Sequence, residues 1–335
     1  MATIVDVARL AGVSTSTVSH VVNATRPVSA ATRRKVMAAI EKTGYQQDSV
    51  ARALRRARTD SIGLVVSDVA QPVFAEMVRG VAHEATAAGL TLLLANSNED
   101  AEVERRSLQV LTARKVDGLI VAPTGGSDRS ALDALAAGGT PVVVMDRLGR
   151  AGTDQVGVEN AGPMHDLVAH LVGHGHRRIA LAAGDLTVAT IAERRQGYLA
   201  ALEEARIGVD ERYILTGSGL SEDTRTLARA LFEERTPPTA FVAASTESAV
   251  GVLEAAQDRG LEPPRDFAFA TFDGFPHADL FRPRITSVTQ PAFDIGATTM
   301  QLLLDRLSGR GTAHPKTIRL PAQITYRESC GCPTS

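Results

Sequence analysis

The 335-residue chain is poor in cysteine, lacks long apolar runs and has none of the short loops that announce nucleotide or acyl chemistry. Its two cysteines, Cys330 and Cys332, both lie in the tail. A C-x-C pair can bind metal or oxidise, but without further ligands nearby in the sequence it reads as part of a loose tail. His165, His170, His174 and His176 are clustered, and His170 and His174 are four apart, as two ligands on one helix face would be. No acid or cysteine beside them completes a shell, so the stretch reads as a helix end with Gly175 as its cap, and no metal is expected. There is no apolar leader with a cleavage site and no stretch long enough to span a bilayer, which implies a cytoplasmic chain without a membrane partner. Gly-Lys-Ser/Thr loops, G-x-G-x-x-G after a strand and G-x-S-x-G elbows are absent, and Gly217-Ser218-Gly219 reads as a plain loop. Enzyme chemistry is therefore unsupported, and no cofactor is expected.

What the chain does have begins at Thr3. Thr3 and Asp6 have the spacing of a capping box, Val5, Ala8 and Leu10 supply apolar positions for a first helix, and Gly12 ends it. Ser14 can cap a second helix whose Val18, Val21 and Val22 share one face. Thr15, Ser16, Ser19 and His20 then point outward. A buried face opposite small polar groups at a helix start suits a helix-turn-helix entering a DNA major groove, although an ordinary helical hairpin has the same outline. Ser29 caps a third helix striped by Val36, Met37 and Ile40 and ended by Gly44, which makes a three-helix headpiece.

Charge separates the headpiece from the rest. Residues 1–60 hold ten Lys or Arg against four acids, a balance of +6, whereas the remainder holds 26 against 34, a balance of −8. A basic end on an acidic body suggests a polyanion partner for that end alone, with an ordinary solvated surface as the bland alternative. Residues 47–60 read as a linker containing a very short helix, Ser49 to Leu54, followed by Arg55, Arg56 and Arg58. Helices this short are marginal alone in water.

From Ser61 the pattern becomes short apolar runs alternating with helices. Strands are expected at Ile62–Val66, Leu90–Ala95, Gly118–Ala122 and Pro141–Met145, then at Arg178–Ala183, Tyr213–Leu215, Ala240–Ala244 and Phe267–Phe272. Helices are expected near Pro72–Ala88, Asp100–Arg114, Asp128–Ala137, Gly162–Gly173, Ile191–Arg206, Glu222–Glu233 and Ser248–Arg259. Two such sets imply two parallel-sheet lobes, whose strand ends bind ligands. Asp68, Asp146, Arg147, Ser245, Thr246 and Asp273 fall where strands end, and Arg194 opens a helix. Carboxylates and arginines there suit a polyhydroxylated ligand.

The stretches DVARLAGVSTSTVSHVVN, VSAATRRKVMAAIEKTGY, SVARALR and IGLVVSDVAQPVFAEMVRGV resemble, in unbroken order, the lactose-repressor (LacI/GalR) family of bacterial transcription regulators. The resemblance implies a multi-domain chain: an all-α helix-turn-helix headpiece (1–46), a hinge helix and linker (47–60) and a two-lobed, α/β, periplasmic-binding-protein-like body (61–335) crossed three times by the chain. It implies a repressor acting as a homodimer on a near-palindromic double-stranded DNA operator, controlled by a small effector, a sugar or sugar derivative. Thr15, Ser16, Ser19, His20 and Ser29 match DNA contacts. Leu54 matches the leucine wedged between central base pairs, and Ala51 the small residue beside it. Arg194 in ERRQGY and Asp273 in TFDG match the family's typical effector contacts, with Asp146 in VMDR beside the sugar ring and Phe74 in QPVF as an aromatic wall. The sequence departs from the family twice. Ser245-Thr246 replaces a common Asn-Asp, implying a larger or differently substituted ligand than a simple hexose. His20 replaces an arginine that reads guanine, so one contact takes the place of a fork. A solute-binding protein would need an export signal, and an α/β enzyme a nucleophile or cofactor loop; neither is seen. The chain ends without heptads, so dimers are expected and not tetramers.

Overall fold

The structure, a computed structural model, describes residues 2–23, 25–45, 58–127, 130–149, 152–280 and 282–332. Ala51 and Leu54, with the rest of the expected hinge helix, lie outside the described residues. The chain separates into two compact units, one up to Thr59 and one from Asp60 onward.

The first unit is three helices, α1 (Ile4–Ala11), α2 (Thr15–Asn23) and α3 (Ala30–Thr43). The capping box forms: the Asp6 carboxylate accepts from the Thr3 N–H at 3.0 Å, and the Asp6 N–H donates to Thr3 Oγ1 at 3.4 Å. Gly12 and Gly44 end their helices at φ 67° and 62°, in the left-handed region that favours glycine. Ser14 and Ser29 cap α2 and α3, each accepting from an N–H three residues on. The core is Val7, Ala8, Ala11, Val18, Val21, Val36 and Ala39. Here the apolar pattern misled. Val5, Leu10 and Met37 are about half exposed, because residues 7, 8 and 11 share one face of α1 and residues 5 and 10 lie off it.

The second unit is two open sheets. Lobe 1 is laid down first: β1 (Ser61–Val66), α4 (Pro72–Ala87), β2 (Thr91–Asn96), α5 (Ala101–Ala113), β3 (Gly118–Val121), α6 (Ser130–Ala137), β4 (Val142–Met145) and β5 (Asp154–Val158). Lobe 2 follows with α7 (Ala161–Gly173), β6 (Ile179–Gly184), α8 (Ala189–Glu204), β7 (Ile214–Thr216), α9 (Ser221–Phe232), β8 (Ala240–Ala243), α10 (Thr246–Gln257), β9 (Ala268–Phe272) and β10 (Thr286–Thr289). The chain then returns to lobe 1 for α11 (Ala292–Leu307) and β11 (Thr317–Leu320), and crosses a third time to β12 (Gln323–Thr325). The first sheet runs β11-β5-β4-β3-β1-β2 and the second β12-β10-β9-β8-β6-β7, with all pairings parallel except β10 with β12.

Both faces of the central strands are covered, so they are apolar without alternation. In β1, Ile62, Leu64 and Val66 pack under α4 and α11, while Val65 faces Leu108, Leu111 and Leu119 on the other side. The tail is not loose. Cys330 is fully buried in the lobe 2 core, Ser329 Oγ donates to the Phe269 carbonyl at 2.7 Å and accepts from the Thr286 N–H at 2.8 Å, and Arg284 pairs with Glu328. These contacts join the tail to strands laid down tens of residues earlier, which spacing within the tail cannot reveal.

Candidate functional site

At the start of α2, Thr15 and Ser16 are exposed, and Ser19 and His20 are half-buried one turn further on. His20 Nδ1 shares a 2.8 Å hydrogen bond with Thr25 Oγ1, which leaves Nε2 as the ring's other polar atom. Ser19 is steadied by Asn23, whose amide donates to its carbonyl at 2.9 Å. Ser29 is exposed, with its hydroxyl spent on capping α3. Arg33, Arg34 and Lys35 are exposed in the first turns of α3. A helix start carrying hydroxyls, an imidazole and nearby cations has the chemistry for base edges and phosphates.

In the body, six of the seven expected effector residues, Phe74, Asp146, Arg147, Arg194, Ser245 and Asp273, line one cleft. The seventh, Asp68, does not. Its carboxylate folds back onto its own loop, accepting from the Ala70 N–H at 2.9 Å in the short turn that follows β1. Asp146 and Asp273 stand at equivalent points of the two lobes, directly after β4 and β9, with φ 67° and 65°. Aspartate tolerates this left-handed backbone better than most residues, and it aims both carboxylates into the cleft.

Arg194, only 2% exposed, is the centre of the lobe 2 wall. Its Nε donates to Asn160 Oδ1 at 2.9 Å, and one terminal nitrogen donates to the Ala244 carbonyl at 2.7 Å and to Asp273 Oδ2 at 3.0 Å. The guanidinium lies 3.6 Å from the centre of the Phe272 ring, a cation–π stack. Gln290 donates to Asp273 Oδ1 at 2.6 Å, and its own amide oxygen is buried without a donor among the described residues. Arg147 is the lobe 1 counterpart: it pairs with Glu99 and donates to the Pro123 carbonyl at 3.0 Å and Ser67 Oγ at 3.2 Å. Burial opposes ionisation of Glu99, but hydrogen bonds and charge from Arg147, with help from Ser67 and Gly125, still hold its pKa below the ordinary value. Ser245 caps α10, accepting from the Ser248 N–H at 3.2 Å.

Asp146 is different. Burial outweighs Arg147 and Arg194 and pushes its pKa up to about 6, with Asp273 and Glu99 adding to the rise. This group favours the folded state most below its unfolded pKa, and that contribution is lost as pH rises through about 6. If ligand hydroxyls donate to the ionised carboxylate, affinity changes the opposite way. Effector binding measured by calorimetry is expected to weaken as pH falls from about 7 to 5, and Asp146→Asn to flatten that dependence.

The residues that sequence reasoning missed are Asn160, Gln290 and Glu193. Asn160 and Gln290 sit where the chain crosses between lobes, and Glu193 bridges Asn160 at 2.9 Å to Arg319 beside the third crossing. The signal for Asn160 and Gln290 was topological, each lying two residues past the last apolar residue of its strand, whereas Glu193 inside α8 carries no such signal. One hydrogen-bonded chain, Arg319–Glu193–Asn160–Arg194–Asp273–Gln290, therefore touches all three crossings and the cleft.

A helix-turn-helix headpiece and a body with a polar cleft between two crossed parallel-sheet lobes define a DNA-binding regulator carrying a ligand-binding module. Residues 3–48 match the family described as bacterial regulatory proteins, lacI family, and residues 59–330 that described as periplasmic binding proteins and sugar binding domain of LacI family. The chain belongs to the LacI family: it is a DNA-binding transcription regulator and not an enzyme. It is 34% identical to catabolite control protein A of Priestia megaterium over 98% of both chains. With the transcriptional repressor PurR of Yersinia pestis it shares 36% identity over 98% of this chain and 97% of that one. Among solved structures it resembles the Lac repressor dimer bound to operator and the anti-inducer ONPF, with a TM-score of 0.86 at 26% identity, covering 98% of this chain and 99% of that one. It also resembles the regulator CelR in complex with cellobiose, with a TM-score of 0.73 at 31% identity over 98% and 100%. Among the described residues, no helix is long and apolar enough to cross a membrane.

Proposed function

We propose that this regulator is a homodimeric repressor whose grip on a near-palindromic operator is set by a neutral, polyhydroxylated effector held between the lobes. The observation that carries the reading is the chain of hydrogen bonds joining the cleft to every crossing. A ligand that accepts from Arg194 or donates to Asp273 competes with the bonds these residues make to Asn160 and Gln290, so occupancy and lobe orientation are linked. In this reading Thr15, Ser16, Ser19 and His20 face bases, Ser29 and the neighbouring cations hold phosphates, and Leu54 beside Ala51 wedges the operator centre.

The charge of the cleft supports a neutral ligand. Glu99, Asp146, Asp185, Glu247 and Asp273 line it against Arg147 and Arg194 alone, and both guanidiniums are already paired with carboxylates. A phosphorylated ligand would meet a surplus of negative charge. Self-association is supported by the free edge of the first sheet, where Leu94 on β2 and Val110 on α5 are 45% and 52% exposed.

The test is a titration of purified protein onto an inverted-repeat duplex drawn from the DNA beside its gene. Binding is expected to fall steeply with salt, to exceed that for scrambled duplex by about a thousandfold or more, and to respond to one neutral sugar found by thermal-shift screening. Leu54→Ala is expected to weaken specific binding only. A monomer with one weak affinity for every duplex overturns the reading.

A further inference from the structure

Two short patterns, His170-x-x-x-His174 at the end of α7 and Cys330-x-Cys332 in the tail, are 160 residues apart in sequence and meet in space. His170 Nε2 lies 3.3 Å from Cys330 Sγ and 3.4 Å from Cys332 Sγ, and the two sulfurs are 3.3 Å apart. His174 Nε2 lies 3.7 Å from Cys332 Sγ, and the two imidazole centres are 4.5 Å apart. Both cysteines are free thiols. Gly331 between them has φ 91°, a left-handed turn that lets both sulfurs face α7.

Zinc–sulfur bonds of about 2.3 Å and zinc–nitrogen bonds of about 2.0–2.1 Å at tetrahedral angles require sulfur–sulfur edges of about 3.8 Å and sulfur–nitrogen edges of about 3.6 Å. The sulfur–sulfur edge, both His170–sulfur edges and the His174–Cys332 edge fall within about half an ångström of these. We propose that His170, His174, Cys330 and Cys332 form a Cys₂His₂ site for zinc(II), which fastens the end of the chain to the first helix of lobe 2.

The surroundings fit that role. Cys330 is fully buried against lobe 2 and can accept a hydrogen bond from Thr286 Oγ1 at 3.0 Å, the kind of outer contact that steadies a thiolate ligand. His170 is braced by Tyr326, whose ring stacks on it at 4.1 Å. Half-buried Cys332 and exposed His174 close the outer side, where an ion can enter. Neither half suffices alone: two histidines on a helix leave half a shell, and so do two cysteines on a turn.

Cobalt(II) reports this geometry directly. Full-length protein, reduced, stripped with chelator and dialysed, is expected to take up one cobalt per chain, with thiolate-to-cobalt charge transfer and the intense red absorption of tetrahedral coordination. Zinc is expected to bleach the colour and to raise the thermal midpoint. Cys332→Ser is the variant of choice because Cys332 lies at the edge of the core, and a circular dichroism spectrum equal to the parent's confirms its fold. It is expected to lose about half the charge-transfer intensity, His170→Gln to lose the tetrahedral spectrum, and His174→Gln to bind cobalt at least tenfold more weakly. Absence of thiolate charge transfer in the parent, or an unchanged spectrum in Cys332→Ser or His174→Gln, overturns the four-ligand site. So does a reduced sample that binds no cobalt but on air exposure loses two hydrogens in mass and both free thiols, which would make the pair a redox couple.

Discussion

Arg194→Ala is expected to lose effector binding by about a hundredfold or more, and the folded body to lose about 3–5 kcal/mol. The two losses share a cause. Arg194 is buried, bonded to Asn160, the Ala244 carbonyl and Asp273, and stacked on Phe272. Truncating it leaves the Asp273 carboxylate, also buried, with Gln290 as its only remaining hydrogen-bond donor among the described residues. Calorimetry with the sugar found by screening measures the first loss and denaturant unfolding the second. Arg194→Lys separates charge from geometry, since an ammonium can answer Asp273 but cannot also present the planar fork that reaches Asn160 and stacks on a ring. It is expected to recover most of the stability and little of the effector response. Operator binding without effector should persist in both variants, because the headpiece is a separate compact unit with its own core. An Arg194→Ala protein that still answers the sugar would remove Arg194 from the ligand's contacts.

The sequence made the two-lobed plan readable because strands such as β1 and β9 are buried on both faces and therefore carry unbroken apolar runs. Strands β11 and β12 escaped because four and three half-exposed residues are too few to show a pattern, and β5 and β10 for another physical reason. In β5, Asp154 and Gln155 are buried yet polar, tolerated because Arg306 pairs with Asp154 and the Lys316 N–H donates to it at 2.7 Å. In β10, Thr286 and Ser287 are buried because the tail satisfies them, through Ser329 for the Thr286 N–H and Arg327 for Ser287 Oγ. Each hides its burial behind a partner far away in sequence. The cleft was legible to the same extent. Residues ending an apolar strand could be placed, and all but Asp68 and Thr246 line the cleft, whereas Asn160, Glu193 and Gln290 acquire meaning only once the crossings are in place. The cysteine and histidine patterns each stand out in the sequence, but nothing in their spacing joins one to the other.

The second large effect concerns what holds the cleft wall in position. Helices α4 and α11 approach so closely that a methyl group on Gly80 would overlap the Phe293 carbonyl oxygen and lie 2.8 Å from the Ala297 nitrogen. A methyl on Gly296 would likewise overlap the Met77 carbonyl. Both obstacles are backbone, so no side chain can turn away and the helices themselves must part. Gly80→Val is therefore expected to cost about 3 kcal/mol or more, the upper end for overpacking, and to lower the thermal midpoint by roughly 6–12 °C. Gly162→Ala, where the new methyl meets only the Glu159 side chain at 3.9 Å, is expected to be neutral or slightly stabilising, so a general effect of removing glycine is separable. The consequence reaches function because the N-terminal turn of α4 carries Phe74 and α11 begins two residues after Gln290, and both of these residues line the cleft. Parting the helices moves the aromatic wall relative to the crossing residue, so Gly80→Val should weaken effector binding even where the protein remains folded. Stability and affinity that fall together in Gly80→Val and stay together in Gly162→Ala would show that this helix contact sets the spacing of the cleft; a destabilised Gly80→Val that binds with full affinity would show that it does not.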